Sequence, residues 1–404
     1  MSDFASPVPR RIAVDRKPLS AAALLIVAGA LYLAQTVSGR QAALYVVGTL
    51  LGVALYHAAF GFTSAWRVFI ADGRGAGLRA QMVMLAVGVA LFFPALAAGS
   101  LFGIPVTGLV SPAGTSVVVG AFLFGIGMQL GGGCASGTLY TVGGGSTRMI
   151  VTLAAFIVGS VVATAHMPFW SARPSLQPIS LVKTLGAGPA LALNWIVFAA
   201  IAALTVVIEK RRHGRLVAAH TQPPHASPWL HGPWPLMAGA IALAVLNFVT
   251  LALSGRPWGI TSAFALWGAK AASIAGIDVA SWPYWASQAN AAALAAPVSR
   301  DVTSVMDIGI VLGAMLAAAL AGRYAPVRRV PLRSLIAAIV GGLLLGYGAR
   351  LAYGCNIGAY FSGIVSGSLH GWLWLVAAFF GNVVGTRLRP AFGLDVERLK
   401  PTAC

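Results

Sequence analysis

In this chain of 404 residues 58% are hydrophobic and only 9% are charged, against about 25% charged in a typical soluble domain. That balance excludes a set of water-soluble domains on a string. The net charge of +18 does not mark a nucleic-acid binder either, because the basic residues bunch beside apolar runs.

In chain order, Arg10, Arg11, Arg16 and Lys17 precede the apolar run Ser20–Ser38. Met1–Lys17 is longer and more basic than the n-region of a cleavable signal, so this run reads as a retained first span. Ala42–Phe60 follows, then Arg67, Arg74 and Arg79, then Ala80–Ala98. Past an uncharged stretch near Leu101–Val110 come Thr115–Leu130, Ile150–His166 and Ala190–Ile208, the last ending at Lys210, Arg211, Arg212 and Arg215. Trp258–Ala296, beyond Leu236–Ser254, reads as one crossing with a dip or as two broken ones. Ile308–Ala321, the cluster Arg323, Arg328, Arg329 and Arg333, and Ser334–Leu345 come next. Trp372–Leu388 is last and is flanked by Arg387, Arg389, Arg398 and Lys400. A bilayer crossing takes about 20 mostly apolar residues, with shorter pieces where the chain dips into protein.

The expected fold class is therefore an all-α polytopic membrane protein. Residues 1–18 and 389–404 are expected as cytoplasmic tails, 19–208 and 236–388 as two membrane repeats, and 209–235, rich in Pro, His and basic residues, as their cytoplasmic linker.

The repeat is visible around two cysteines. Val119–Thr138 reads VGAFLFGIGMQLGGGCASGT and Val340–Ala359 reads VGGLLLGYGARLAYGCNIGA. Aligned without a gap they agree at nine positions, centred on G-C-x-x-G at Gly133, Cys134 and Gly137 and at Gly354, Cys355 and Gly358. The basic clusters send the first copy inward and the second outward, which predicts an inverted repeat. Glycine clusters disfavour continuous helix, so each copy is expected to break at its cysteine, giving half-helices that meet near the membrane midplane. The competing reading of these glycines is close helix packing.

A broken helix offers unpaired N–H groups to an anion, and Ser136, Thr138, Asn356 and Ser362 can add neutral donors. A thiol is a weak, soft donor, suited to holding a sulfur-containing anion and releasing it. Arg350, aligned with Gln129, is a candidate for attracting the anion, or else a cap on a helix end. Asp307 is expected to pair with Arg300 or Arg350, and His57 to be a polar packing residue. Trp258, Trp267, Trp282, Trp285, Trp372 and Trp374 are expected in an interfacial belt. No metal set and no nucleotide motif stands out, and no C-x-x-C supports the rival reading of a membrane thiol oxidoreductase or sulfurtransferase. Cys404 receives no role.

The segment Gly131–Thr138, its partner Gly354–Gly358, Phe60-Gly61-Phe62, and Ser299-Arg300-Asp301 before Asp307 resemble the YeeE/YedE family of membrane proteins. The resemblance implies an hourglass-shaped transporter of the bacterial inner membrane, without a cofactor, taking up thiosulfate or a similar sulfur-containing anion past central thiols. Carried over, Cys134 and Cys355 are those thiols. The further entrance cysteine of thiosulfate-transporting members has no counterpart here. The family also implies a selenium-compound branch as the alternative substrate class, and a TusA-type sulfur carrier as a partner for some members.

Overall fold

The computed structural model describes residues 14–217, 228–327 and 329–398. Cys404, Arg328, Lys400, most of the N-terminal tail and residues 218–227 of the expected linker lie outside them. Among the described residues ten segments are long and apolar enough to cross a membrane. The helices that position the site are α1 (Arg16–Thr36), α2 (Gly39–His57), α3 (Phe62–Asp72), α4 (Ala76–Ala98), α5 (Thr115–Gly131), α6 (Ala135–Gly143) and α7 (Thr147–Ser171). They continue with α8 (Ala187–His213), α9 (Leu236–Ser254), α10 (Thr261–Ile274), α11 (Val302–Leu320), α12 (Leu332–Leu351) and α13 (Leu369–Leu388). Among the described residues sheet is confined to two-residue strands, such as Ala113–Gly114 paired with Ser175–Leu176.

Two faces can be told apart by what their chain ends bind. On the basic face Arg148 donates to the carbonyls of Gly131 and Leu130 at 2.7 and 2.6 Å, and Arg212 donates to Ala71 O at 3.0 Å. On the opposite face Thr107 N bonds Gly255 O at 2.9 Å and Leu181 N bonds Gly367 O at 2.7 Å. Cations at helix C-termini meet unsatisfied carbonyls and the negative end of the dipole, which accounts for the Arg148 contacts.

The helices that lead into the two cysteines, α5 and α12, pack directly against each other and antiparallel. A Cβ on Gly120 would lie 2.7 Å from Gly348 O, and one on Gly127 would lie 2.8 Å from Gly341 O. Four matched glycines thus let two backbones touch, as small residues do between membrane helices. Gly125 and Gly346, also matched, do the same against α13 and α7. The packing reading therefore holds for the glycines within α5 and α12, and the break reading for those that follow.

Helix α8 runs on to His213, and Glu209 near its end is fully buried, accepting from Arg79 Nη1 at 2.7 Å and from Gly75 N at 3.0 Å. The stretch after α13 packs back on the bundle: Arg389 Nη1 donates to Gln129 O at 2.6 Å, and Arg67 forks onto Glu397 at 2.5 Å. Trp258–Ala296 makes no full crossing. It forms α10, which is 14 residues long, and then short helices on the opposite face.

Candidate functional site

Each Gly-Cys motif ends one helix and caps the next. After α5, Gly132 turns the chain at φ 94°, and Cys134 then stands before α6 with its Sγ accepting Gly137 N at 3.4 Å. After α12, Tyr353 and Gly354 turn the chain at φ 57° and 150°, and Cys355 Sγ accepts Ile357 N at 3.4 Å. The aligned bonds Thr138 N to Cys134 O and Ala359 N to Cys355 O are both 2.8 Å, so the duplication extends to the backbone. Asn356–Phe361 forms a π-helical turn, a form that recurs at functional sites.

Both thiols are buried, at 1% and 0% exposure, and share one core. Because each sulfur already accepts an N–H, its own S–H is left to donate. The structure separates the expected donors. Ser136 Oγ lies 3.3 Å from Cys134 Sγ, whereas Thr138 spends its hydroxyl on Cys134 O at 2.8 Å. Ser362 donates to Trp258 O at 2.7 Å and accepts from Asn247 at 3.2 Å, so it braces the fold. Asn356 is fully buried with both carboxamide atoms unpartnered among the described residues. A buried polar group without a partner is costly, which marks Asn356 as awaiting one.

A second duplicated motif was missed in the sequence reading. Phe60-Gly-Phe-Thr-Ser-Ala-Trp66 and Trp258-Gly-Ile-Thr-Ser-Ala-Phe264 share G-x-T-S-A, and each opens a half-helix, α3 and α10 respectively. Helix α3 runs toward the basic face, where His213 meets Asp72 O at 2.7 Å. Helix α10 runs the other way, Lys270 Nζ reaching Leu294 O and Ala296 O at 2.6 and 2.7 Å. This copy settles the stretch that hydropathy left open.

Each copy floors a cavity. On the basic face a cavity of about 240 Å³ is lined by Gly61, Ser64, Arg74 and Gln81. On the opposite face one of about 590 Å³ is lined by Gly259, Thr261, Ser262, Gly354, Gly358 and Arg350 among others. Gly354 and Gly358 flank Cys355, so the larger cavity reaches the second break. A Cβ on Gly358 would meet nothing within 4 Å.

Two expectations are corrected. Trp258, Trp285 and Trp374 are not interfacial, having 0, 3 and 0% exposure. Trp374 donates to Gly354 O at 3.2 Å and stacks on Tyr360, with centroids 6.1 Å apart. Trp66, Trp374, Phe124, Phe156 and Phe264 touch in sequence, joining the aromatic ends of the two G-x-T-S-A motifs through the core. Nor does Asp307 pair with Arg300 or Arg350: both its oxygens are buried without a partner among the described residues, while Asp301 caps α11. Arg350 is instead occupied by Tyr284 at 2.9 Å. His57 packs on Trp234, centroids 5.6 Å apart, as a buried polar residue.

Two buried thiols at matched helix breaks, held by inverted half-helices in a bundle of membrane-length segments, belong to a multi-pass membrane protein. The chain belongs to the family described as sulphur transport, which matches residues 57–384. It is 32% identical over 178 residues to the probable transporter YedE of Escherichia coli, a match covering 43% of this chain and 43% of that protein, less than half of either. It is 29% identical over 355 residues to the thiosulfate transporter TsuA of Spirochaeta thermophila, covering 83% of this chain and 95% of that one. The Escherichia coli protein TsuA is 26% identical over 354 residues, with 83 and 91% covered.

Proposed function

We propose that this protein carries a small sulfur-containing anion, thiosulfate or a close analogue, into the cell through the constriction at Cys134 and Cys355. The observation that carries this reading is the pair of buried, backbone-capped thiols beside duplicated helix breaks. Relatives named for thiosulfate transport over more than nine-tenths of their length support the substrate class. An anion entering the constriction exchanges water for N–H groups of the breaks, Asn356, Ser136 and two S–H donors. These donors are neutral and weak, so the anion is desolvated without being trapped. No bond is made or broken. The anion is handed from one thiol to the other by hydrogen bonding, with Gly133, Gly137, Gly354 and Gly358 keeping the backbone open beside each sulfur.

By the positive-inside rule the basic face is the cytoplasmic one and the larger cavity opens outward, with both termini inside and the protein in the bacterial inner membrane. A TusA-type carrier would meet the emerging anion on the basic face.

Growth of a sulfur-auxotrophic host lacking its own uptake route tests the reading. With thiosulfate as the sole sulfur source, cells expressing this chain should grow and empty-vector cells should not. Equal growth of the two on thiosulfate, with rescue on another sulfur source, would reassign the substrate.

A further inference from the structure

We propose that uptake of the anion is coupled to proton entry, with the buried carboxyl of Asp307 as the group that takes the proton. The proposal rests on the transport reading and supplies its driving force.

A divalent anion enters a cell against the membrane potential. An interior about 100 mV negative biases each negative charge roughly fiftyfold outward, and a dianion roughly two-thousandfold. One proton carried with the anion returns about fiftyfold of that, and about tenfold more for each unit of pH difference. Such coupling needs a titratable group inside the membrane, near the anion's path and without a permanent counter-ion.

Three acids are buried among the described residues, Asp72, Glu209 and Asp307. The first two form ion pairs on the basic face, Asp72 with Arg74 and Glu209 with Arg79, each at 2.7 Å. Asp307 is 0% exposed within the membrane-length helix α11, and both its oxygens lack a partner among the described residues. An isolated carboxylate in such a place is far costlier than the neutral acid, so here the group holds a proton. Acids kept inside membranes at that cost mark proton relays and ion paths.

Its position links the larger cavity to the first break. Residues four apart share one stripe of a helix, so Thr303, Asp307 and Val311 line up along α11. Thr303 lines the larger cavity. Val311 touches α6: a Cβ on Gly143 would press on Val311 O and lie 3.1 Å from Met315 N. Helices α6 and α11 both run toward the basic face, where a Cβ on Gly145 would lie 3.3 Å from the Tyr324 ring. Helix rise therefore sets Asp307 about 6 Å from the Val311 contact, toward the end of α6 that Cys134 caps.

The other titratable groups on elements packed against α11 are engaged or distant. Tyr45 on α2 donates to Leu25 O at 3.1 Å, and Tyr140 on α6 turns its hydroxyl toward Gly61. Lys270 on α10 holds Leu294 O and Ala296 O, and Asp301 caps α11. Arg16 and Lys17 on α1, with His57 on α2, lie at the basic-face end of α11, where Asp15 N meets Ala319 O at 3.0 Å. Arg40 and Arg300 lie at its other end, beside the bond from Gln41 to Ser299 O. A dianion at the constriction repels a second negative charge nearby, so anion and proton favour each other's presence, and the effect is reciprocal. The proton comes from water in the larger cavity and returns to water on the basic face after the anion has left.

Right-side-out vesicles clamped at an inside-negative potential, with labelled thiosulfate outside and a pH dye inside, test this. Thiosulfate should drive proton entry, and accumulation should rise about tenfold for each unit of acid outside and ignore a sodium gradient. Asp307→Asn keeps the shape of the neutral acid but cannot trade a proton. It should lose proton entry and the pH response, and accumulate roughly fiftyfold less at about 100 mV, while still exchanging labelled for unlabelled thiosulfate. Asp307→Glu should recover part of the response. Wild-type accumulation and pH response in Asp307→Asn would overturn the proposal. Should that variant fail to fold, wild-type uptake without proton entry, or uptake driven by sodium, would overturn it equally. Wild-type vesicles that take up no thiosulfate under any gradient would sink the transport reading, and this proposal with it.

Discussion

Uptake should vanish when Cys134 and Cys355 are both replaced by alanine, while expression and melting temperature stay near wild type. Each substitution removes one buried heavy atom from a large core, a packing loss of about 1 kcal/mol. The loss to transport is greater, because an S–H donor to a charged ligand contributes about 1.5–3 kcal/mol, or roughly tenfold to a hundredfold in rate for each thiol. The single variants should therefore be sharply impaired. Serine keeps a donor of similar size but replaces soft sulfur with hard oxygen. If the softness of sulfur is what matches the substrate, serine fails nearly as badly as alanine, and Cys404→Ala changes nothing. Normal uptake in the double alanine variant would make these cysteines packing residues.

Gly346→Val should cripple folding rather than transport. A Cβ at Gly346 would sit 2.5 Å from Ser160 N and closer still to Phe156 O, and these are backbone atoms of α7 that cannot step aside. Overpacking of this kind costs about 1–3 kcal/mol where the surroundings can yield, and more where they cannot. The readout is a lower melting temperature and poor yield. Gly358→Ala is the contrasting case, because nothing lies within 4 Å of the added methyl, yet the residue lines the larger cavity beside Cys355. It should melt like wild type and transport more slowly. If Gly346→Val folded normally, the close backbone contact between α12 and α7 would be contradicted.

The contrast between these glycines explains how much could be read from the sequence. Long uncharged runs report membrane spans directly, because a bilayer crossing demands them. The Gly-Cys copies were legible because a break and a cap need specific residues at fixed spacing, and Cys134 and Cys355 do cap the segments that follow them. The G-x-T-S-A copies were equally duplicated but escaped notice, since the segment 275–301 shifts the second copy out of register with the first. Composition could not tell a core tryptophan from an interfacial one. Trp374 and Trp258 are amphipathic like any other, and only packing shows that they face inward. Asp307 was expected beside Arg300 or Arg350 on charge alone. The fold instead gives Arg350 a phenol and leaves both Asp307 oxygens without a partner among the described residues.

The most direct test of the central claim, that the two thiols line the anion's own path, is their labelling in sealed, transporting vesicles. Cys404→Ala leaves Cys134 and Cys355 as the remaining cysteines of the chain. A small anionic, membrane-impermeant methanethiosulfonate should reach Cys355 through the larger cavity and block uptake, and saturating thiosulfate should slow both effects together. Vesicles that keep full uptake with both thiols unmodified after prolonged exposure, or whose labelling ignores thiosulfate, would contradict it.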